Sequence, residues 1–159
     1  MDLYRRLVSP MPLSADWGLA ALRVVVGLTF LLHGWQKLFQ FGVAGTAAAF
    51  AQMGVPLPGL TAPLVSVLEL VGGALVLLGL ATRPAAVVLA IDVLAAILLV
   101  HRPAGFFAPN GVELPLLLLA GAVALTLAGP GALALDRVLA RPERGAPASE
   151  QQVASGWSR

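Results

Sequence analysis

Cysteine is absent from the 159 residues. Neither a disulfide framework nor a thiol redox centre can therefore be built from this chain, and any electron transfer through it needs a bound cofactor or a partner. Charge is scarce as well. Asp, Glu, Lys and Arg together make up 11%, where soluble domains carry about a quarter. With 58% hydrophobic residues, too little polar surface remains to cover a soluble domain of this size, and the chain belongs in a bilayer. Basic clusters interleaved with aromatics are missing, and the net charge is only +2 despite a pI near 9.9, which argues against nucleic acid as a partner. The N-terminal segment MDLYRRLVSPMPLSAD has no long apolar core before a cleavage site, so the first spanning helix is expected to serve as an uncleaved signal. Metal-ligand spacings, nucleotide-binding glycine loops, nucleophile triads and internal repeats are missing too.

What is present is four apolar runs, at roughly Trp17 to Phe39, Thr61 to Leu80, Pro84 to Val100 and Glu113 to Leu127. Each is near the ~20 residues that cross a ~30 Å hydrocarbon core as a helix. Backbone polar groups cannot be left open in lipid, so helices are the expected form. Glycines inside these runs allow close helix approach. Between the first two runs, Ala44 to Met53 is a good helix former stopped by Gly54, Pro56 and Pro58, and too short to span. The expectation is an all-α membrane protein: a four-transmembrane-helix bundle with a short interfacial helix between helices 1 and 2. Residues 1–16 form a cytoplasmic N-terminal segment, 17–139 the membrane domain and 140–159 a disordered cytoplasmic tail. Most arginines flank one side of these runs, and only Lys37 and Arg102 the other. This places both termini in the cytoplasm and the chain in the cytoplasmic (plasma) membrane.

Arg23, His33, Glu69, Asp92, His101 and Glu113 stand inside or beside these runs. A charge at the centre of a spanning helix costs roughly 2.5 to 3.5 kcal/mol on insertion scales, so such groups must face one another or water. Counting from the run ends puts Arg23 and Asp92 at one depth, where they read as a structural ion pair. His33 and Glu69 share a shallower layer near the outer end, with His101, Arg102 and Glu113 bracketing the loop HRPAGFFAPNGV. Two titratable groups at equal depth suit a polar headgroup such as a quinone. Blander roles are open to each: His101 capping the third helix, Glu113 favoured at a helix start by the dipole. Haem ligation by His33 and His101 is weaker, since the two do not clearly face one another.

An ordered set of motifs runs from Leu19 to Leu139. Arg23 and Gly27 lead to His33-Gly34 and Lys37-Leu38, followed by Gly54-Val55-Pro56. Then come Glu69 with Gly72-Gly73 and Gly79, Thr82-Arg83, and His101 with Gly105-Phe106-Phe107. Asn110-Gly111, Glu113-Leu114-Pro115, Gly129-Pro130-Gly131 and Leu135-Asp136 complete it. This set resembles the DoxX family of small membrane proteins. The resemblance implies four membrane helices and association with oxidoreductase systems, the family name coming from a subunit of a thiosulfate:quinone oxidoreductase. By motif it carries over His33, Lys37, Glu69, His101, Glu113 and Asp136; Asp92 departs from the pattern.

The resulting expectation is a membrane subunit that binds a quinone-like headgroup. Its outward-facing pocket comprises His33, Lys37, Glu69, His101 and Glu113, roofed by the interfacial helix and Phe106/Phe107, and a soluble redox partner or a homo-oligomer completes the system. The alternatives are a non-catalytic structural or assembly protein and, third, a small-solute or proton transporter, for which four spans offer little.

Overall fold

A computed structural model describes residues 12–139; the expected disordered tail, residues 140–159, lies outside them. The described residues contain helices and turns but no strand. Helix α1 covers Pro12–Trp35 and continues through a π-helical turn, Gln36–Gln40. Helix α2 covers Gly42–Gln52, α3 Pro58–Leu78, and α4 Thr82–Ala96 with a second π turn, Ile97–His101. A 3-10 turn at Arg102–Ala104, α5 at Glu113–Ala128 and a short α6 at Leu135–Leu139 complete the chain.

The punctuation follows the backbone chemistry of the breakers. Proline at the start of α3 costs no helical hydrogen bond, because the first N–H groups have no partner anyway. At the other end Gly79 adopts a left-handed conformation (φ 70°), and the Gly79 and Leu80 amides close on the Val76 and Leu75 carbonyls. Continuous helix over Ala15–Gln40, Pro58–Leu78 and Thr82–Ala104 is long and apolar enough to cross a membrane. At 26, 21 and 23 residues these segments exceed the ~20 that a bilayer core requires. Helix α5 is apolar but shorter, at 16 residues. Large apolar side chains on every long helix point away from the protein, among them Val25, Leu64, Ile91 and Leu117, as a lipid-solvated surface requires.

Helices α1 and α3 run antiparallel with their backbones in contact. A β-carbon built on Gly27 would lie 2.5 Å from the Leu77 nitrogen, one on Gly34 2.3 Å from the Leu70 nitrogen, and one on Gly73 2.3 Å from the Leu31 nitrogen. Only glycine fits at these three positions, and the seven-residue spacing of Gly27 and Gly34 keeps both on one face of α1. Val26, Phe30, Val76, Leu89, Val93 and Leu125 fill the space between this pair and helices α4 and α5.

Exposed aromatics mark two levels. Trp17 lies near one end of α1, whereas Trp35, Phe39, Phe41, Phe106 and Phe107 gather at the end carrying α2 and the α4–α5 loop. Trp17 and Trp35 are separated by roughly 27 Å along the helix at 1.5 Å per residue, close to a hydrocarbon thickness. The end with the α3–α4 connection is called here the turn end, and the opposite one the loop end.

Replacing Gly34 or Gly73 by leucine should therefore force α1 from α3 and destabilise the protein by about 3 kcal/mol or more. Gly18→Ala, at a position with nothing within 4 Å of the added carbon, should melt like the parent. Thermal denaturation of the detergent-solubilised protein reads both.

Candidate functional site

At the loop end the α1–α3 contact brings Lys37 beside Glu69. Lys37 lies in the π turn that ends α1, and its Nζ donates to the Glu69 Oε2. Glu69 is only 8% exposed. A lone carboxylate in this position would carry the full cost of burial, which the ammonium offsets. The π turn leaves the Lys37 carbonyl to accept 2.9 Å from the Thr46 hydroxyl on α2, so a second helix is tied to the same residue. Lys37 is also the only lysine in the chain.

His33 precedes Lys37 by one helical turn, within electrostatic reach of its ammonium. It lies seven residues beyond Val26, on the same face of α1. Val26 is buried, with its Cγ2 2.7 Å from where a β-carbon on Gly121 of α5 would stand. His33 is exposed. The imidazole thus stands at the surface of the bundle, one turn from the lysine of the Lys37–Glu69 pair. Asp92, half-buried on α4, lies within electrostatic reach of Glu69 and Lys37 and completes a layer with three ionisable groups on three helices.

The expected Arg23–Asp92 ion pair does not form. Arg23 instead donates through Nη1 to the Pro130 carbonyl (2.9 Å) and through Nη2 to the Leu133 carbonyl (3.3 Å), packed against Gly79. Depth counted from Trp17 misplaced it, because the glycine contacts, not the helix start, set the level of α1. They put Arg23 beside Gly79 at the turn end and Lys37, rather than Arg23, at the level of Asp92.

His101 and Glu113 do not join the Lys37–Glu69 pair by any hydrogen bond among the described residues. The His101 Nδ1 lies 2.9 Å from the Asn110 carbonyl oxygen, and the Glu113 Oε2 accepts from the Ala108 amide at 3.0 Å. The Val112 and Glu113 amides bond back to Gly105 and Phe106, so the loop is closed on itself. Phe106 and Phe107 meet edge to face with centroids 5.3 Å apart, and both are exposed.

The turn end carries a polar clasp. Asp136 accepts from the amides of Ala81 (2.7 Å) and Thr82 (3.0 Å) at the start of α4, and its own amide donates to the Gly79 carbonyl. Asp16 and Arg137 form a two-point ion pair with both bonds at 2.7 Å, and the Ala132 amide donates to the Asp16 carbonyl. Loss of water pushes the Asp136 carboxyl up, but the amide bonds from Thr82 and Ala81 and the charge of Arg23 outweigh it and hold it below 3.8. Asp16, Arg137 and Thr46 escaped sequence reading. A threonine in an alanine-rich segment was the one available signal for the last.

The three membrane-length helices and their buried charges define an integral membrane protein with a polar site inside its apolar layer. The DoxX family model matches residues 18–102, and the chain belongs to the DoxX family. Among its relatives, the putative oxidoreductase CatD of Bacillus subtilis is 40% identical over 123 residues, covering 77% of this chain and 87% of that protein. An uncharacterized membrane protein of Mycobacterium tuberculosis is 39% identical over 131 residues (76% and 80%). The inner membrane protein YqjF of Escherichia coli is 35% identical over 128 residues (78% and 93%). No solved structure matches the chain.

The depressed Asp136 carboxyl gives the clasp a pH signature. A group whose folded pKa lies below its unfolded value stabilises the fold above the unfolded pKa and ceases to do so as pH falls through the folded one. Asp136→Ala should cost about 0.5–2 kcal/mol at neutral pH, and the gap between parent and variant melting temperatures should close as the pH falls below 3.8.

Proposed function

We propose that this protein is the membrane subunit of an oxidoreductase system and binds a quinone-like headgroup beside Lys37 and Glu69. The observation that carries the reading is the buried Lys37–Glu69 pair within spanning helices, with the exposed His33 one turn away. The name of the Bacillus subtilis relative supports the redox part. A quinone supplies the electron-accepting chemistry when bound. In that site the Lys37 ammonium holds an oxygen that gains negative charge, and His33 or Glu69 holds or releases the accompanying proton. Catalysis needs a partner or cofactor, since the chain has no cysteine to form a thiol redox centre. His101 and Glu113 serve the site indirectly, by closing the loop at the same end of the bundle.

In this reading α5 is the fourth span. Its 16 residues reach roughly 24 Å at 1.5 Å per residue, and the ordered loop before it and the turn after it make up the remaining thickness. Helix α2 lies at the outer interface, both termini are cytoplasmic, and the chain resides in the cytoplasmic membrane. The 17–139 segment is one membrane domain.

A second reading, a non-catalytic structural or assembly protein, draws support from the clasp and the closed loop. Both take up motif residues, Asp136, His101 and Glu113, in local hydrogen bonds.

Purified full-length protein should bind a quinone analogue, and His33→Ala and Glu69→Gln should each weaken that binding by about tenfold, the worth of one charge-assisted hydrogen bond. Lower melting temperatures with no ligand response in parent or variants would instead establish the structural reading. For the topology, the absence of native cysteine makes single-thiol labelling clean. Ala104→Cys should react with a membrane-impermeant maleimide on intact cells, and Val138→Cys only after permeabilisation.

A further inference from the structure

Helix α2 buries little of its own surface against the bundle. Thr46 is its one buried residue; Ala47 and Phe50 are half-buried, and Val43, Ala44, Gly45, Ala48 and Ala49 are exposed. The hydroxyl of Thr46 donates to the carbonyl of Lys37, the residue whose ammonium pairs with Glu69. The helix is bracketed by Gly42 (φ 71°) and Gly54 (φ 75°), and at neither would a β-carbon meet any atom within 4 Å. These two glycines therefore serve backbone conformation and not packing. Leu57, beyond the second of them, has a positive φ of 49° and is 70% exposed. A short helix with little buried apolar surface between two unpacked, positive-φ joints belongs at the low end of local stability.

We propose that α2 is a hinged cover over the Lys37–Glu69 site, turning on Gly42 and Gly54, and that Thr46 is the positioning residue that latches it to the Lys37 backbone. With the latch made, α2 lies on α3 and the π turn and the pair is sequestered. With it broken, the pair is open from the loop end to a headgroup bearing oxygen acceptors. The contrast with the turn end supports this division: there the clasp joins Asp16, Arg23, Gly79 and Thr82 to the segment after α5 through several independent bonds, so opening is confined to the loop end. The ligand class rests on the function proposed above, but the cover and its latch do not.

The chain's single lysine supplies the readout. The full-length protein in detergent is treated with an N-hydroxysuccinimidyl acetate, and acetylation of Lys37 is followed by peptide mass spectrometry. Thr46→Val, which keeps the shape and removes the hydroxyl, should acetylate about two- to tenfold faster, the range expected from one lost hydrogen bond. Thr46→Ala should do the same if the valine variant does not fold. Thr46→Ser should restore the parent rate. Asp136→Asn, weakened at the far end, should acetylate like the parent. The proposal is overturned if the Thr46 variants label at the parent rate, if Thr46→Ser labels as fast as Thr46→Val, or if Asp136→Asn accelerates labelling equally. A quinone analogue should slow acetylation of the parent protein. Its failure to do so would sink the ligand assignment and leave the Thr46 comparison to decide on the cover.

Discussion

Everything in this protein is levelled by the contact of two bare helix backbones. Gly27 and Gly34 on α1 and Gly73 on α3 leave no room for a β-carbon, and in lipid, where burying apolar side chains against one another gains little over lipid contact, close packing of this kind is what holds helices together. Because the antiparallel register is set over two turns of helix, it also determines which groups meet beyond the contact. Arg23 arrives beside Gly79 at one end, and Lys37 beside Glu69 at the other. A slip of one turn would separate lysine from glutamate and leave two buried charges unpaired, an arrangement costing far more than the pair.

The two ends use polar groups for different purposes. At the turn end, Asp136 and Arg23 satisfy free amides and carbonyls at helix ends and loops, groups that have no water to turn to once covered. At the loop end, the polar groups on α1, α3 and α4 answer mainly to one another. The layer of Lys37, Glu69 and Asp92 has more acid than base, and the imidazole of His33 stands open beside it. Charge that no helix end requires, placed where insertion is costly, sets this layer apart from the clasp.

Much of the fold was legible because hydropathy and chain breakers act locally. The expected Ala44–Met53 helix appears as Gly42–Gln52, ended where glycine and proline end it, and the expected first run is extended at its start to Pro12. Partnerships across helices were not legible in the same way. His33 and Glu69 were placed in one layer by counting from the run ends, and it is the register that brings Lys37 to Glu69. Arg23 and Asp92 were matched by the same counting, yet Arg23 packs on Gly79 and bonds to the segment after α5, because the start of a helix need not coincide with the start of the bundle. His101 and Glu113 were read as part of the layer, yet each had a closer acceptor or donor in its own loop.

The sequence by itself determined a membrane chain of helices, their approximate limits and the residue types that could not rest in lipid, since each follows from the transfer cost of a residue or a window of residues. Only the tertiary structure decided which charges are partners, that the arginine belongs to a clasp and the lysine to a buried pair with Glu69, and that Thr46 ties a small helix to that lysine's carbonyl. These depend on interhelical register and on backbone carbonyls, which every residue carries alike and which no pattern of side chains announces.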